Sequence, residues 1–153
     1  MKTRNIALTI VMCFAGLTLC FASPMMGTWK LNEAKSKFSP GASKSVTVVY
    51  EAAGDDIKCT IDGVDGQGKP THTEWTGKFD GKDYPVTGDA NQSTRSVKPI
   101  NDHKMDVDVK KDGKVAASGS IEIAADGKTR TVTLHGTDST GKKTTSKAFY
   151  DKQ

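Results

Sequence analysis

The chain has 153 residues, a formal net charge of +4 at pH 7, 26% charged and 35% hydrophobic residues, and three cysteines. That length supports one modest hydrophobic core, and the mixed polarity excludes both a wholly disordered chain and a bundle of membrane helices. The lysines are scattered near turns, with no dense basic run carrying interleaved aromatics, which speaks against a nucleic-acid or membrane surface.

Residues 1–22 read as a secretory signal peptide. Lys2 and Arg4 form a positive start, Ile6 to Leu19 is an uncharged and mostly apolar run, and Cys20 and Ala22 place small residues before a cut after Ala22. The apolar run is short for a spanning helix, which needs about 20 residues. Acylation of Cys20 as a lipoprotein is disfavoured by the bulk of Leu19 directly before it. The expected mature chain, residues 23–153, is exported to the periplasm or beyond. It retains Cys59 alone, so no internal disulfide holds it together. Cys59 lies between Ile57 and Ile61 in an alternating run and reads as a buried, inert thiol.

The mature chain begins with Gly27-Thr28-Trp29 on a first strand. Next comes a short helical segment that Asn32 can cap and that Pro40-Gly41 ends. There Phe38 is either a plug over a barrel end or a half-buried loop residue. Beyond it the pattern alternates every two residues. Ile57, Cys59 and Ile61 share a face; so do Thr73, Trp75, Gly77 and Phe79; so do Met105, Val107 and Val109; Gly119, Ile121 and Ile123 follow, then Val132 and Leu134. Asp80-Gly81-Lys82, Asp112-Gly113-Lys114 and Asp126-Gly127-Lys128 mark tight turns. Strands are expected from near Gly27, Lys44, Asp56, Thr71, Asp83, Ser93, Lys104, Val115, Thr129 and Thr144. Turns this short force antiparallel pairing of sequence neighbours. Closing such a meander removes its open edges, so the expected fold is all-β, an up-and-down antiparallel barrel of about 8–10 strands in a single domain.

The Gly-x-Trp on the first strand of an exported meander resembles the calycins, the lipocalins and cytosolic fatty-acid-binding proteins. The mature chain also resembles small secreted bacterial proteins that begin "GTWKLN" and contain "AKSKF". The resemblance implies a lipocalin-like barrel in which Trp29 closes one end and a basic residue from a late strand packs across it. Lys147 is the first candidate for that residue and Arg130 the alternative. It also implies a ligand held inside.

On the residues themselves, Trp75 points inward, where it fills the core or lines a pocket. The ligand-binding candidates are Tyr50, Trp75, Phe79, Arg95 and Met105, with Arg95 placed to meet a carboxylate if it turns inward. The expected partner is a small hydrophobic or amphipathic molecule, bound by a monomer. The alternative is a non-enzymatic structural or protein-interaction module of the cell envelope whose barrel is filled by its own side chains. No catalytic signature occurs: no Gly-x-Ser-x-Gly elbow, phosphate loop or dinucleotide fingerprint. We expect no enzyme activity, cofactor or metal. His72 and Glu74 share a strand face, but nothing assigns further ligands. Asp62 and Asp65 in "DGVDGQG" read as a turn rather than a calcium loop.

Overall fold

The computed structural model describes residues 23–137 and 141–153; the expected leader, residues 1–22, lies outside them. Among the described residues the chain forms β1 (Gly27–Leu31), β2 (Lys37–Phe38), β3 (Lys44–Ala53), β4 (Asp56–Val64), β5 (Pro70–Gly77) and β6 (Tyr84–Thr87). It continues through β7 (Thr94–Asn101), β8 (Lys104–Lys111), β9 (Lys114–Ile123), β10 (Thr129–Thr137) and β11 (Lys143–Lys152). Each expected strand forms within a residue of its expected start. The two-residue β2 is the addition, too short to show a period in sequence.

From β3 to β11 every strand pairs antiparallel with its sequence neighbour. The sheet closes because β1 pairs on both sides: Trp29 lies opposite Val48 of β3 and opposite Lys152 of β11. The result is a closed ten-strand up-and-down barrel, with β2 as an extra strand that adds Phe38 opposite Ser146 further along β11. Closure gives every barrel strand a neighbour on both sides, although β6 pairs with β5 and with β7 over only two residue pairs each.

The step from β1 to β2 is the expected capped segment, reduced to a single 3-10 turn at Glu33–Lys35. The Asn32 side-chain oxygen accepts from the Lys35 amide at 3.3 Å, and its amide nitrogen donates to Asp151 at 2.8 Å. Ser36 ties the same turn to β11: its hydroxyl donates to the Asn32 carbonyl at 2.7 Å and accepts from the Phe149 amide at 2.9 Å.

Turn chemistry fixes the register. Asp112 and Gly113 have φ values of 49° and 76°, the pair of positive values that a two-residue hairpin with right-handed twist requires. Asp126 accepts from the Lys128 amide at 2.9 Å, and Asp80 from the Lys82 amide at 3.0 Å. The Asp65 carboxylate accepts from the amides of Gln67 and Lys69, each at 2.9 Å, so "DGVDGQG" is a turn.

The alternation sorts the side chains as expected. In β8, Met105 and Val107 are buried while Asp106 is exposed. Trp29, Trp75, Met25 and Cys59 are the largest fully buried side chains. They join Tyr50, Tyr150, Val97, Ile121 and Ile123 in one contiguous core inside the barrel.

Candidate functional site

One end of the barrel is sealed. Trp29 is fully buried and donates its indole N–H to the Met25 carbonyl at 2.8 Å. Arg130, 3% exposed, lays its guanidinium 4.8 Å from the Trp29 ring, 4.7 Å from Tyr150 and 5.4 Å from Tyr50. Its Nη1 also reaches the Met25 sulfur at 3.2 Å. The basic partner of Trp29 is therefore Arg130, and the preference for Lys147 is corrected. The reason is parity. Ala148 and Tyr150 are the inward residues of β11, so Lys147 points outward, where its ammonium lies 5.5 Å from the Phe149 ring. Lys152 adds a second cation 5.1 Å from Trp29 and donates to the Pro24 carbonyl at 3.0 Å.

Above this seal the interior holds a cavity of about 80 Å³. Aliphatic side chains from several strands line it, among them Val97, Val107, Ile121 and Leu134. Its polar lining comes from Ser45, Tyr50, Tyr150, Arg95 and Arg130. The Tyr150 hydroxyl donates to the Ser45 carbonyl at 2.9 Å. Burial raises the pKa of Tyr50, and the neighbouring Cys59 thiol adds to the effect. Burial likewise raises those of Tyr150 and Cys59. All three groups therefore keep their protons near neutral pH. Arg95 and Arg130 partly oppose each of these shifts through their positive charge.

Of the expected site residues, Tyr50 and Arg95 line this cavity. Arg95 does turn inward. Its Nη2 donates to Gln92 at 2.9 Å, and Gln92 donates in turn to Asp89 at 2.7 Å, so the turn between β6 and β7 positions the guanidinium. Trp75, Phe79 and Met105 lie in the surrounding wall rather than on the cavity. Trp75 donates its indole N–H to the Arg95 carbonyl at 3.1 Å, stacks with Phe79 at 6.2 Å between centroids and meets Tyr84 edge-on at 6.0 Å. Phe79 also packs edge-on against Tyr50 at 6.1 Å. Met105 is 5% exposed and belongs to the core. Gly77 makes room for this aromatic group: a Cβ there would run into the Tyr84 ring.

Of the tyrosines that the sequence offers as hydroxyl donors to a pocket, Tyr50, Tyr84 and Tyr150, the first and last line the cavity while Tyr84 does not. Sequence reasoning missed the cavity role of Arg130, whose signal was parity: Arg130 shares a face with Val132 and Leu134.

A larger space of about 480 Å³ lies outside the barrel, between the segment after β1 and the turn joining β4 to β5. Phe38 lines it half-buried, with the Lys44 ammonium 5.5 Å from its ring. This groove offers no uncommitted convergent group. Glu33 pairs with Lys44 at 3.5 Å, and Asp65 serves its own turn. The smaller interior cavity is the better candidate because it is walled by aliphatic side chains and because the Nε atoms of Arg95 and Arg130 are buried without a partner. On the outer face His72 lies 2.6 Å from Asp62, and Glu74 pairs with Lys58 at 2.6 Å. Among the described residues no three potential metal ligands gather, and no helix is long and apolar enough to cross a membrane.

Fold and site together define a closed antiparallel barrel with a small, cation-bearing interior. No family model matches the chain, and no curated protein matches its sequence. Among solved structures, that of EF1p2_mFAP2b bound to DFHBI is similar in fold, with a TM-score of 0.52 and 11% identity, covering 85% of this chain and 94% of that one.

Proposed function

We propose that this chain is an exported calycin-like binding protein that takes a small, partly apolar molecule into its barrel. The observation that carries the reading is the interior cavity, with aliphatic walls and a few buried polar groups that would orient a guest. Sealing of one end by Trp29 and Arg130 supports the calycin-like reading. The similar fold solved bound to DFHBI is compatible with ligand binding. A binding role, rather than catalysis, is supported by the cavity's titratable groups: two guanidiniums and two tyrosines held protonated by burial, a set that supplies cations and hydrogen-bond donors. Export rests on the leader-like residues 1–22.

The filled-barrel alternative draws on one observation. About 80 Å³ is well below the roughly 300 Å³ of an ordinary ligand pocket. Native mass spectrometry of residues 23–153, purified from the producing organism and compared with the denatured mass, separates the two. Added mass that disappears on denaturation is the expected result for a carrier. A bare mass at every gentle ionisation setting would favour an interaction module instead.

A further inference from the structure

We propose that β2 and the groove beside it form a docking edge for an acidic extended peptide of a partner protein, which adds as a strand to β2 and sets its carboxylates against Lys37 and Lys147. This surface lies on the outside of the barrel and does not depend on a guest within it.

The first support is backbone. β2 is the last strand of the sheet and pairs with β11 alone. The Ser39 amide donates to the Thr145 carbonyl at 3.2 Å, so the main-chain groups of Ser39 and Lys37 face β11 and those of Phe38, between them, face the open side. β3 is paired with β1 only from Thr47 onward, so residues 44–46 have β4 alone beside them. Val46 there is one of the exposed large hydrophobic side chains. A sheet edge left bare in this way is a template for another strand.

The second support is room. Ser36, Phe38 and Ser39 bring the bare edge to the outer groove of about 480 Å³, within the roughly 300–1,000 Å³ of a binding cleft. Gly41, Gly66 and Gly68 line the groove with main chain rather than side chains. The half-buried Phe38 ring offers an apolar contact to a side chain of the added strand. The Glu33–Lys44 ion pair beside it, 3.5 Å long and open to solvent, is of the weak kind that gives way to an incoming chain.

The third support is charge. Lys37 and Lys147 stand directly opposite each other on β2 and β11, and both are exposed. Like charges so placed repel. Elsewhere on the barrel three outward lysines meet acids: Lys58 with Glu74 at 2.6 Å, Lys104 with Glu122 at 2.8 Å and Lys110 with Asp83 at 2.7 Å. Among the described residues no carboxylate pairs with Lys37 or Lys147. Glu122 feels Lys147 at longer range, but its ion pair is with Lys104. A second copy of the chain is a poor occupant, because two β2 strands joined edge to edge would bring Lys37 to a second Lys37. A polysaccharide brings anions but no strand edge for Phe38.

The test uses a labelled, end-blocked hexapeptide of alternating glutamate and valine, titrated into the purified protein by fluorescence anisotropy. Beside it run the same peptide with lysine for glutamate, the glutamate peptide N-methylated at alternate amides in each of the two phases, and polygalacturonate. The glutamate peptide is expected to bind at least about fivefold tighter than the lysine peptide at low salt, a margin that shrinks as salt rises. N-methylation in one phase is expected to abolish binding and in the other to leave it. In Lys37→Glu the preference is expected to reverse toward the lysine peptide, with a thermal midpoint at or above that of the parent because the repulsion with Lys147 is gone. Equal binding of the two peptides would overturn the charge assignment. Tolerance of N-methylation in both phases would overturn strand addition. Polygalacturonate binding as tightly as the glutamate peptide would overturn the peptide in favour of a polysaccharide, and a dimer in sedimentation that excludes the peptide would give the edge to a second copy. No binding of the glutamate peptide at about 1 mM would overturn the docking edge and leave the interior binding role standing.

Discussion

Arg130 touches more of the sealed end than any other single side chain described above. It contacts Trp29, Tyr50 and Tyr150 through ring faces and Met25 through sulfur. A lysine there keeps the charge but loses the planar group that lies over several rings. We predict that Arg130→Lys destabilises the protein by about 1–3 kcal/mol, read by urea unfolding. Lys147→Ala, on the outer face of the same region, is expected to change stability by no more than about 0.5 kcal/mol. Equal effects would mean that the three ring contacts carry no energy. These residues also show what a period-two pattern conveys. Parity fixed which face each residue occupies, so Trp75, Met105 and Cys59 were placed inward correctly. It does not say how far along the barrel a residue sits. Trp75 and Met105 therefore fell in the wall, while Arg130 and Tyr150 fell on the cavity.

At the scale of elements, strands and hairpins were legible because each has a local cause. The Asp112-Gly113 turn needs two positive φ values, and its residues tolerate them. β2 was not legible, since its existence depends on β11 as a partner and not on its own two residues. The junction of β5 and β6 has a similar non-local dependence. Gly77 leaves space that the Tyr84 ring occupies, and that ring sets the edge of Trp75. Gly77→Ala is predicted to displace Tyr84 and cost about 1–3 kcal/mol through overpacking. Pairing it with Tyr84→Ala should recover part of the loss in a double-mutant cycle. Strict additivity would show that the two positions do not compete for the same space.

For the whole molecule, the interior sets an alkaline limit to stability. Tyr50 and Tyr150 have raised pKa values in the fold, burial being the main cause, while unfolded tyrosine titrates near about 10. Above that pH the unfolded chain gives up protons that the folded chain retains. It therefore binds fewer protons, and stability falls as pH rises. Below it both states are protonated and this contribution is fully present. Urea midpoints are predicted to hold level to about pH 9 and then decline, with the tyrosinate absorbance of Tyr50 and Tyr150, read in Tyr84→Phe, appearing together with unfolding. Tyr50→Phe should flatten the decline. An unchanged slope would place its origin in other groups.

The closing seam joins the beginning of the described chain to its end. β1 lies between β3 and β11, and the Gln153 amide donates to the Thr28 carbonyl at 3.0 Å. β11 is thus the neighbour of β10, β1 and β2 at once. Among the described strands β1 is made first and its partner β11 last, with the rest of the meander between them. Such long-range pairing is slow to form. Until β11 arrives, β1, β2 and β10 each present an unsatisfied backbone edge, the arrangement most prone to pair with other molecules. A chain ending at Thr137 is accordingly predicted to sediment as aggregate where the full chain stays in solution. Closure of the ring of strands therefore depends on a single late seam, however much of the meander has already paired.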